Sequence, residues 1–281
     1  MLTYRLELDP ELKVPSPCLA DGLEVWKDHE GRVCASGGKE GDRFWLWFPE
    51  FACFSFHPQQ EVATYRPVAA AREATIFDLF RRTVVPLIYQ LDGHVVLHGS
   101  AIRAREGVVV FCARSHTGKS TLANAFHHQS FPFWADDAVV VESTATETRV
   151  LSLPARLRLR PASHDYFQGA GELENLAVWP DHGAEQGAPI HTICLLHRTA
   201  ADPEAPLVQT ARVPEIQAMI QLLEHAYSFT LDEVARRQAL LAQYHRLARS
   251  VPVCEVRLQS GLELLPVVVE ALAAKLGLTS P

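Results

Sequence analysis

No two cysteines in this sequence are spaced C-x-x-C. The six, Cys18, Cys34, Cys53, Cys112, Cys194 and Cys254, are scattered along 281 residues. Reduced thiols in a cytoplasm are the expectation from such usage. No basic-then-apolar leader opens the chain, and no apolar run approaches the ~20 residues of a membrane helix. A cytoplasmic protein without membrane contact is therefore expected. Positive charge is not in excess either: Lys plus Arg number 26 against 33 Asp plus Glu, a net charge of -7. Such a chain is not generally drawn to nucleic acid, and it has no long basic stretch interleaved with aromatics. Internal repeats and long low-complexity segments are absent as well. Apolar side chains are plentiful, at 48% of the residues. That is enough for a sizeable core in one large domain, or in one domain with a small attachment.

The first 72 residues read as strands and turns. LTYRLEL alternates apolar and polar side chains, RFWLWF and FACFSF are aromatic runs parted by Pro49 and Glu50, and ASGGKEGD is turn material. A small antiparallel β unit is expected, with its aromatics in the core. From Thr75 to Leu91 apolar residues recur at spacings of three and four, which predicts a helix that Pro86 kinks or divides. HVVLHGSAI and GVVVFCA read as buried strands joined by the polar turn RARE. A helix is expected over Lys119 to about His128, and FPFWADDAVVVE and HTICLLHR supply further strands. Arg198 to Leu207 reads as an exposed loop. PEIQAMIQLLEHAY places Pro214 at a first helical position. Capping boxes from Thr230 to Glu233 and from Ser260 to Glu263 open two more helices, the second ending before Gly277; VPVCEVRL is a strand between them. The expected division is a β-rich unit over 1–72, packed on a domain over 73–281.

Between VVVFCA and LANAF stands ARSHTGKST, Ala113 to Thr121. The pattern G-x-x-x-x-G-K-[ST] marks a phosphate-binding loop. Gly118, Lys119 and Ser120 keep its second half; Ala113 replaces the first glycine, and His116 sits inside. In a strand–loop–helix setting, backbone N–H groups surround phosphate oxygens and the helix terminus adds to that field. Ala113, Arg114, Ser115, His116, Thr117, Gly118, Lys119, Ser120 and Thr121 are thus the candidate nucleotide-binding residues. Lys119 would reach the β- and γ-phosphates, and Ser120 would ligate Mg²⁺. Alanine at the first position costs little if its φ is negative, and about 1 kcal/mol or more if positive.

Asp136 and Asp137 follow in the next expected strand. Adjacent strand residues point to opposite faces, so one can face the nucleotide while the other faces a metal or a supporting group. LHGS ends the strand before the loop hairpin and would bring His98 near the phosphates if its strand is a neighbour. His94 and His98 share a strand face, but no third ligand is evident, so no zinc site is expected. His127 and His128 read as the solvated end of a helix. Arg156, Arg158 and Arg160 alternate; they either clamp a phosphate or acidic substrate or form a solvated edge strand.

The succession LHGSAI, GVVVFCARSHTGKSTLANAF and FPFWADDAVVV resembles the HPr kinase/phosphorylase superfamily. Within it the likeness is to the smaller HPr-kinase-like proteins of bacterial peptide-modification and serine-kinase gene clusters. It is sharpest over His98 to Val141 and extends loosely through the C-terminal helices. The resemblance implies an α/β (α+β) fold, a P-loop HPr-kinase/PEP-carboxykinase-like mixed sheet with flanking helices beside the N-terminal antiparallel β unit. It implies ATP and Mg²⁺ as cofactors and a serine hydroxyl as acceptor. By motif, Lys119 then binds the phosphates and Ser120 the metal. Asp136 is the base, Asp137 supports the metal or the base, and His98 stands near that carboxylate. The glycine-rich signature that accompanies dephosphorylation in HPr kinases is missing, so neither that reverse activity nor HPr as substrate is expected. The acceptor expected is a peptide, such as a ribosomally made precursor, or a small hydroxyl compound. A groove bordered by Leu157 to Trp179, with Arg158, Arg160, Tyr166, Phe167 and Trp179, would hold a peptide and its terminal carboxylate. The alternatives are a free-serine kinase and a nucleotide-binding regulatory or scaffold protein without transfer. A homo-oligomer is left open.

Overall fold

The computed structural model describes residues 4–13, 24–27, 30–68, 71–144, 146–153, 157, 159–168, 187–227 and 234–281. The chain forms two compact units. One comprises Met1–His94 with Ser228–Leu241, the other Val95–Tyr227 with Ala242–Pro281.

In the first unit, β1 (Arg5–Leu8), β2 (Glu24–Lys27), β3 (Val33–Glu40), β4 (Arg43–Phe48), β5 (Ala52–Phe56) and β6 (Val62–Pro67) form one sheet. Their order is β1-β6-β5-β4-β3-β2. The strands β2 to β6 are antiparallel neighbours, as expected, whereas β1 joins β6 in parallel. The aromatic runs are core: Phe54 and Phe56 are fully buried, and Phe44 stacks on Phe56 at 6.0 Å. Gly38 is the register partner of Trp45, and a Cβ there would stand 2.6 Å from the indole. The absent side chain lets the ring lie against the neighbouring strand. The expected helix follows as α1 (Glu73–Leu79), a π-helical turn over Phe80–Val84, and α2 (Val85–Leu91). Pro86 sits in the first turn of α2. Its ring and missing N–H do not fit a continued α-helical ladder, and the wider turn before it takes up the mismatch. Phe80 stacks on Phe54 at 6.0 Å and Phe77 meets Tyr65 edge-on at 6.2 Å, which ties the segment to this sheet.

The second unit holds β7 (Val95–Leu97), β8 (Gly99–Ala104), β9 (Gly107–Cys112), β10 (Phe133–Ala135), β11 (Val139–Ser143), β12 (Thr148–Leu151), β13 (Gly187–Thr199), β14 (Val208–Arg212) and β15 (Val253–Gln259). Its helices are α3 (Lys119–His128), α4 (Pro161–Gln168), α5 (Glu215–Leu223) and α7 (Leu265–Leu276), with the second part of α6 (Val234–Ser250). The nine strands form a mixed sheet, β10-β8-β9-β13-β12-β11-β7, with β15 and β14 added beside β13. Strands β9, β13 and β15 run parallel, so their carboxyl ends share one edge. Ligands in open α/β sheets bind outside that edge. Leu265, Val268, Val269 and Leu272 of α7 repeat at helical spacing and join Leu122, Phe126 and Phe111 in the core.

Several boundaries differ from the sequence expectation. FPFWADDAVVVE is two strands, not one: β10 pairs with β8, β11 pairs with β7 and β12, and the aspartates occupy the break. Arg198, shared by the expected strand HTICLLHR and the loop expected after it, lies in β13, which runs on to Thr199. Pro214 is the N-cap of α5, one residue outside the helix. The Ser260–Glu263 capping box is not made, since Leu264 caps α7 without a side-chain bond. The Thr230–Glu233 box lies outside the described residues. Gly277 ends α7 in the left-handed conformation at φ 64, as its position implied. Among the described residues no helix is long and apolar enough to cross a membrane.

Candidate active site

Register brings the site together. Gly99 pairs with Cys112, so His98, just before β8, stands level with the residue that follows β9. Ser100 pairs with Phe111, and Ala135 pairs with Ala101, which carries Asp136 to the same edge. Leu195 pairs with Cys112, so β13 continues past the end of β9 and its next residues flank the loop.

The loop itself runs from Ala113 to Gly118 and feeds α3 at Lys119. Gly118 caps that helix at φ 94 without a side-chain hydrogen bond, which leaves first-turn N–H groups for a ligand. His116 has φ 73, the left-handed region. Ala113 is not among the residues with positive φ, so alanine carries no backbone penalty there. It is buried with the core, and its carbonyl accepts a bond from Lys119 Nζ at 3.0 Å. Behind it the Cys112 thiol is pushed up to about 12 by burial and stays protonated.

Lys119 is 7% exposed. Its second contact is His98 Nε2 at 3.3 Å. His98 Nδ1 lies 2.9 Å from the Asp137 carbonyl, which can only accept, so Nδ1 carries the proton and Nε2 offers its lone pair to the ammonium. Burial and then the Lys119 charge hold the His98 pKa below the ordinary histidine value, against the pull of Asp137. Burial also lowers Lys119. At both groups burial outweighs the pull of the neighbouring aspartates.

The two aspartates occupy different places. Asp136 is buried, and its Oδ1 accepts bonds from Ser100 Oγ at 2.5 Å and Ser120 Oγ at 2.7 Å. Asp137 is half-buried at φ 64. The Ala138 N–H returns to the Asp136 carbonyl at 2.8 Å, which makes a γ-turn with Asp137 at its apex. The adjacent carboxylates therefore diverge because the strand breaks, not because they alternate along one. Asp136, not Asp137, stands beside Ser120.

Arg160 faces the loop. Its Nη1 meets His116 Nδ1, and its Nη2 lies 2.8 Å from His116 Nε2. A neutral imidazole has one lone pair, so these donors cannot both be satisfied by the ring. Thr121 shares a hydroxyl–hydroxyl bond of 3.0 Å with Ser163 of α4. The aromatics expected to border a peptide groove divide: Phe167 is buried and stacks on His128 at 5.0 Å, while Tyr166 is exposed. Arg156, Arg158 and Trp179 lie outside the described residues.

Three groups went unnoticed in the sequence. Ser100 bonds Asp136. His225 gives its carbonyl to the His98 N–H at 2.7 Å, and its ring titrates low through burial and Lys119. Arg198 donates from Nε to the Thr117 carbonyl at 3.0 Å. Ser100 closes the LHGS stretch but was given no role there, and His225 and Arg198 stand in no motif.

No family model matches the chain, and no curated protein does. Among solved structures, the HPr(Ser) kinase/phosphatase from Coxiella burnetii shares 12% identity, with 64% of this chain and 94% of that chain covered and a TM-score of 0.34. The likeness is a distant structural one.

Proposed function

We propose that this protein is an ATP-dependent kinase that phosphorylates a hydroxyl group, with a serine hydroxyl on a peptide as the acceptor class. The observation that carries the reading is the Asp136–Ser120 contact of 2.7 Å at the head of α3, beside the buried Lys119. Hard cations take oxygen ligands, and a carboxylate next to a loop serine hydroxyl is the pair that holds Mg²⁺ in P-loop proteins. Ser120 and Asp136 fit that ion, which when bound neutralises charge developing on the phosphates. Lys119 and the α3 N-terminus supply the remaining positive field.

This assignment exchanges the parts first expected of the aspartates. Asp136 takes the metal side. Asp137, more exposed and one residue on, would accept the proton as the acceptor oxygen bonds to the γ-phosphorus and the bridging bond to ADP breaks. His98 fixes the Asp137 main chain through Nδ1. The serine preference and the peptide rest on the sequence resemblance alone.

The test uses Mg-ATP with free serine, a serine peptide and the same peptide lacking serine, read by mass spectrometry. Asp137→Asn should keep Mg-ATP binding and lose transfer by about 10²-fold or more, the scale of a general base. Asp136→Asn should weaken Mg-ATP binding itself, and Lys119→Ala should abolish it. Full transfer in Asp137→Asn would return the base to Asp136. Folded wild-type protein that binds no Mg-ATP would overturn the kinase reading.

A further inference from the structure

Arg198 ends a strand whose sequence gives no hint of a ligand, yet its guanidinium is held over the phosphate loop. Nε donates to the Thr117 carbonyl at 3.0 Å, and Nη1 donates to the Gln259 carbonyl at 3.2 Å, at the end of β15. Nη2 has no hydrogen-bond partner among the described residues. A Cβ on Gly118 would stand 2.9 Å from it, so the glycine that starts α3 also makes room for the guanidinium. No carboxylate pairs with Arg198 among the described residues, and burial lowers its pKa. A partly buried cation held only by neutral carbonyls lacks its counter-charge. Lys119, directly after Gly118, has only a carbonyl and an imidazole as hydrogen-bond partners among the described residues, although Asp136 and Asp137 act on it through space.

Resting on the kinase reading above, we infer that Arg198 is a second phosphate ligand, whose Nη2 binds an oxygen of the nucleotide's polyphosphate across Gly118. Arginine suits the place because three nitrogens of one planar group can brace two backbone carbonyls and still present a charged donor. Lysine has one nitrogen and cannot do both. The arginine comes from the parallel strand beside β9, so it is fixed by the sheet rather than carried by a mobile loop. It contributes a positive charge beside Thr117 and Gly118.

The experiment measures binding of Mg-ATP and of inorganic tripolyphosphate, the probe without base or ribose, by calorimetry. Wild type, Arg198→Ala, Arg198→Lys and Lys119→Ala are compared, each with a thermal melt. Arg198→Ala should weaken tripolyphosphate and Mg-ATP by the same factor, about tenfold or more, the worth of one charge-assisted hydrogen bond. Arg198→Lys should recover part of that loss in binding while keeping the lowered melting temperature of a severed Thr117–Gln259 tie. A purely structural arginine would instead make the lysine and alanine variants equally weak. Unchanged affinity in Arg198→Ala, with Lys119→Ala inactive in binding, would overturn the inference and leave the kinase reading standing. A wild type that binds neither probe would overturn both.

Discussion

On the proposed reading, Asp137 joins a strained backbone to the role of base. Its φ of 64 is unfavourable for any side chain, and strain of this kind persists where the surroundings impose it. Its backbone carbonyl, not its carboxylate, receives the His98 bond. Asp137→Gly therefore keeps that bond and relieves the strain, offset partly by glycine's unfolded-state entropy. Stability in urea should be unchanged or higher by up to about 1 kcal/mol, while transfer is lost. A clear loss of stability would assign the carboxylate a structural role. The same residue shows how far sequence reaches. That Asp136 and Asp137 would lie near the loop was legible from their place after the G-K-S motif. Which one meets Ser120 was not, because the γ-turn depends on two strands pairing with different partners. The cost of Ala113 was equally unreadable, since it turns on a φ that no side chain announces. Arg198 escaped for a different reason. Its strand was recognised, but not its parallel alignment beside β9.

Elements were more legible than their junctions. The limits of α3 follow from the loop motif, and β9 and β13 follow from continuous apolar runs, as buried strands do. The segment from Glu73 to Leu91 carries a helical apolar pattern throughout, and Pro86 marks where it must change; that the change is a π-helical turn is a matter of backbone accommodation. Phe80 opens that turn, 3% exposed and stacked on Phe54. Phe80→Ala removes a buried ring from the first unit and should cost about 3–5 kcal/mol. Chemical unfolding should show a lower midpoint. A cost below about 1 kcal/mol would mean that the turn repacks around the gap. The Ser260–Glu263 capping box failed as a signal because both residues precede a helix that begins later, at Leu265.

At the scale of the whole molecule, two half-buried histidines, His98 and His225, tie stability to pH, and the exposed His128 adds little. His98, His128 and His225 all titrate below the ordinary histidine value, with burial the largest cause in each. Lys119 adds to the effect at His98 and His225, and His127 adds to it at His128. The opposing groups are Asp137 at His98, and Glu224 at His225. An unfolded histidine takes up its proton near pH 6.5, while His98 and His225 resist protonation until lower pH in the folded chain. Between those values the unfolded state binds more protons, so stability rises with pH across the window. It is fully present above about pH 6.5 and drains as pH falls towards the lowered folded values. Asp92, raised by burial, works in the opposite direction and only near the carboxylate range. Glu106, pulled down to about 2 by Thr279, matters only in stronger acid. Urea unfolding at pH 7.5 and at pH 5.5 should therefore show a lower free energy at the acid value. His98→Asn and His225→Asn together should flatten that difference, although each alters the neighbourhood of Lys119 and will lower activity. A wild type equally stable at both pH values would show that the His98 and His225 rings reach solvent on protonation and are not held neutral by the fold.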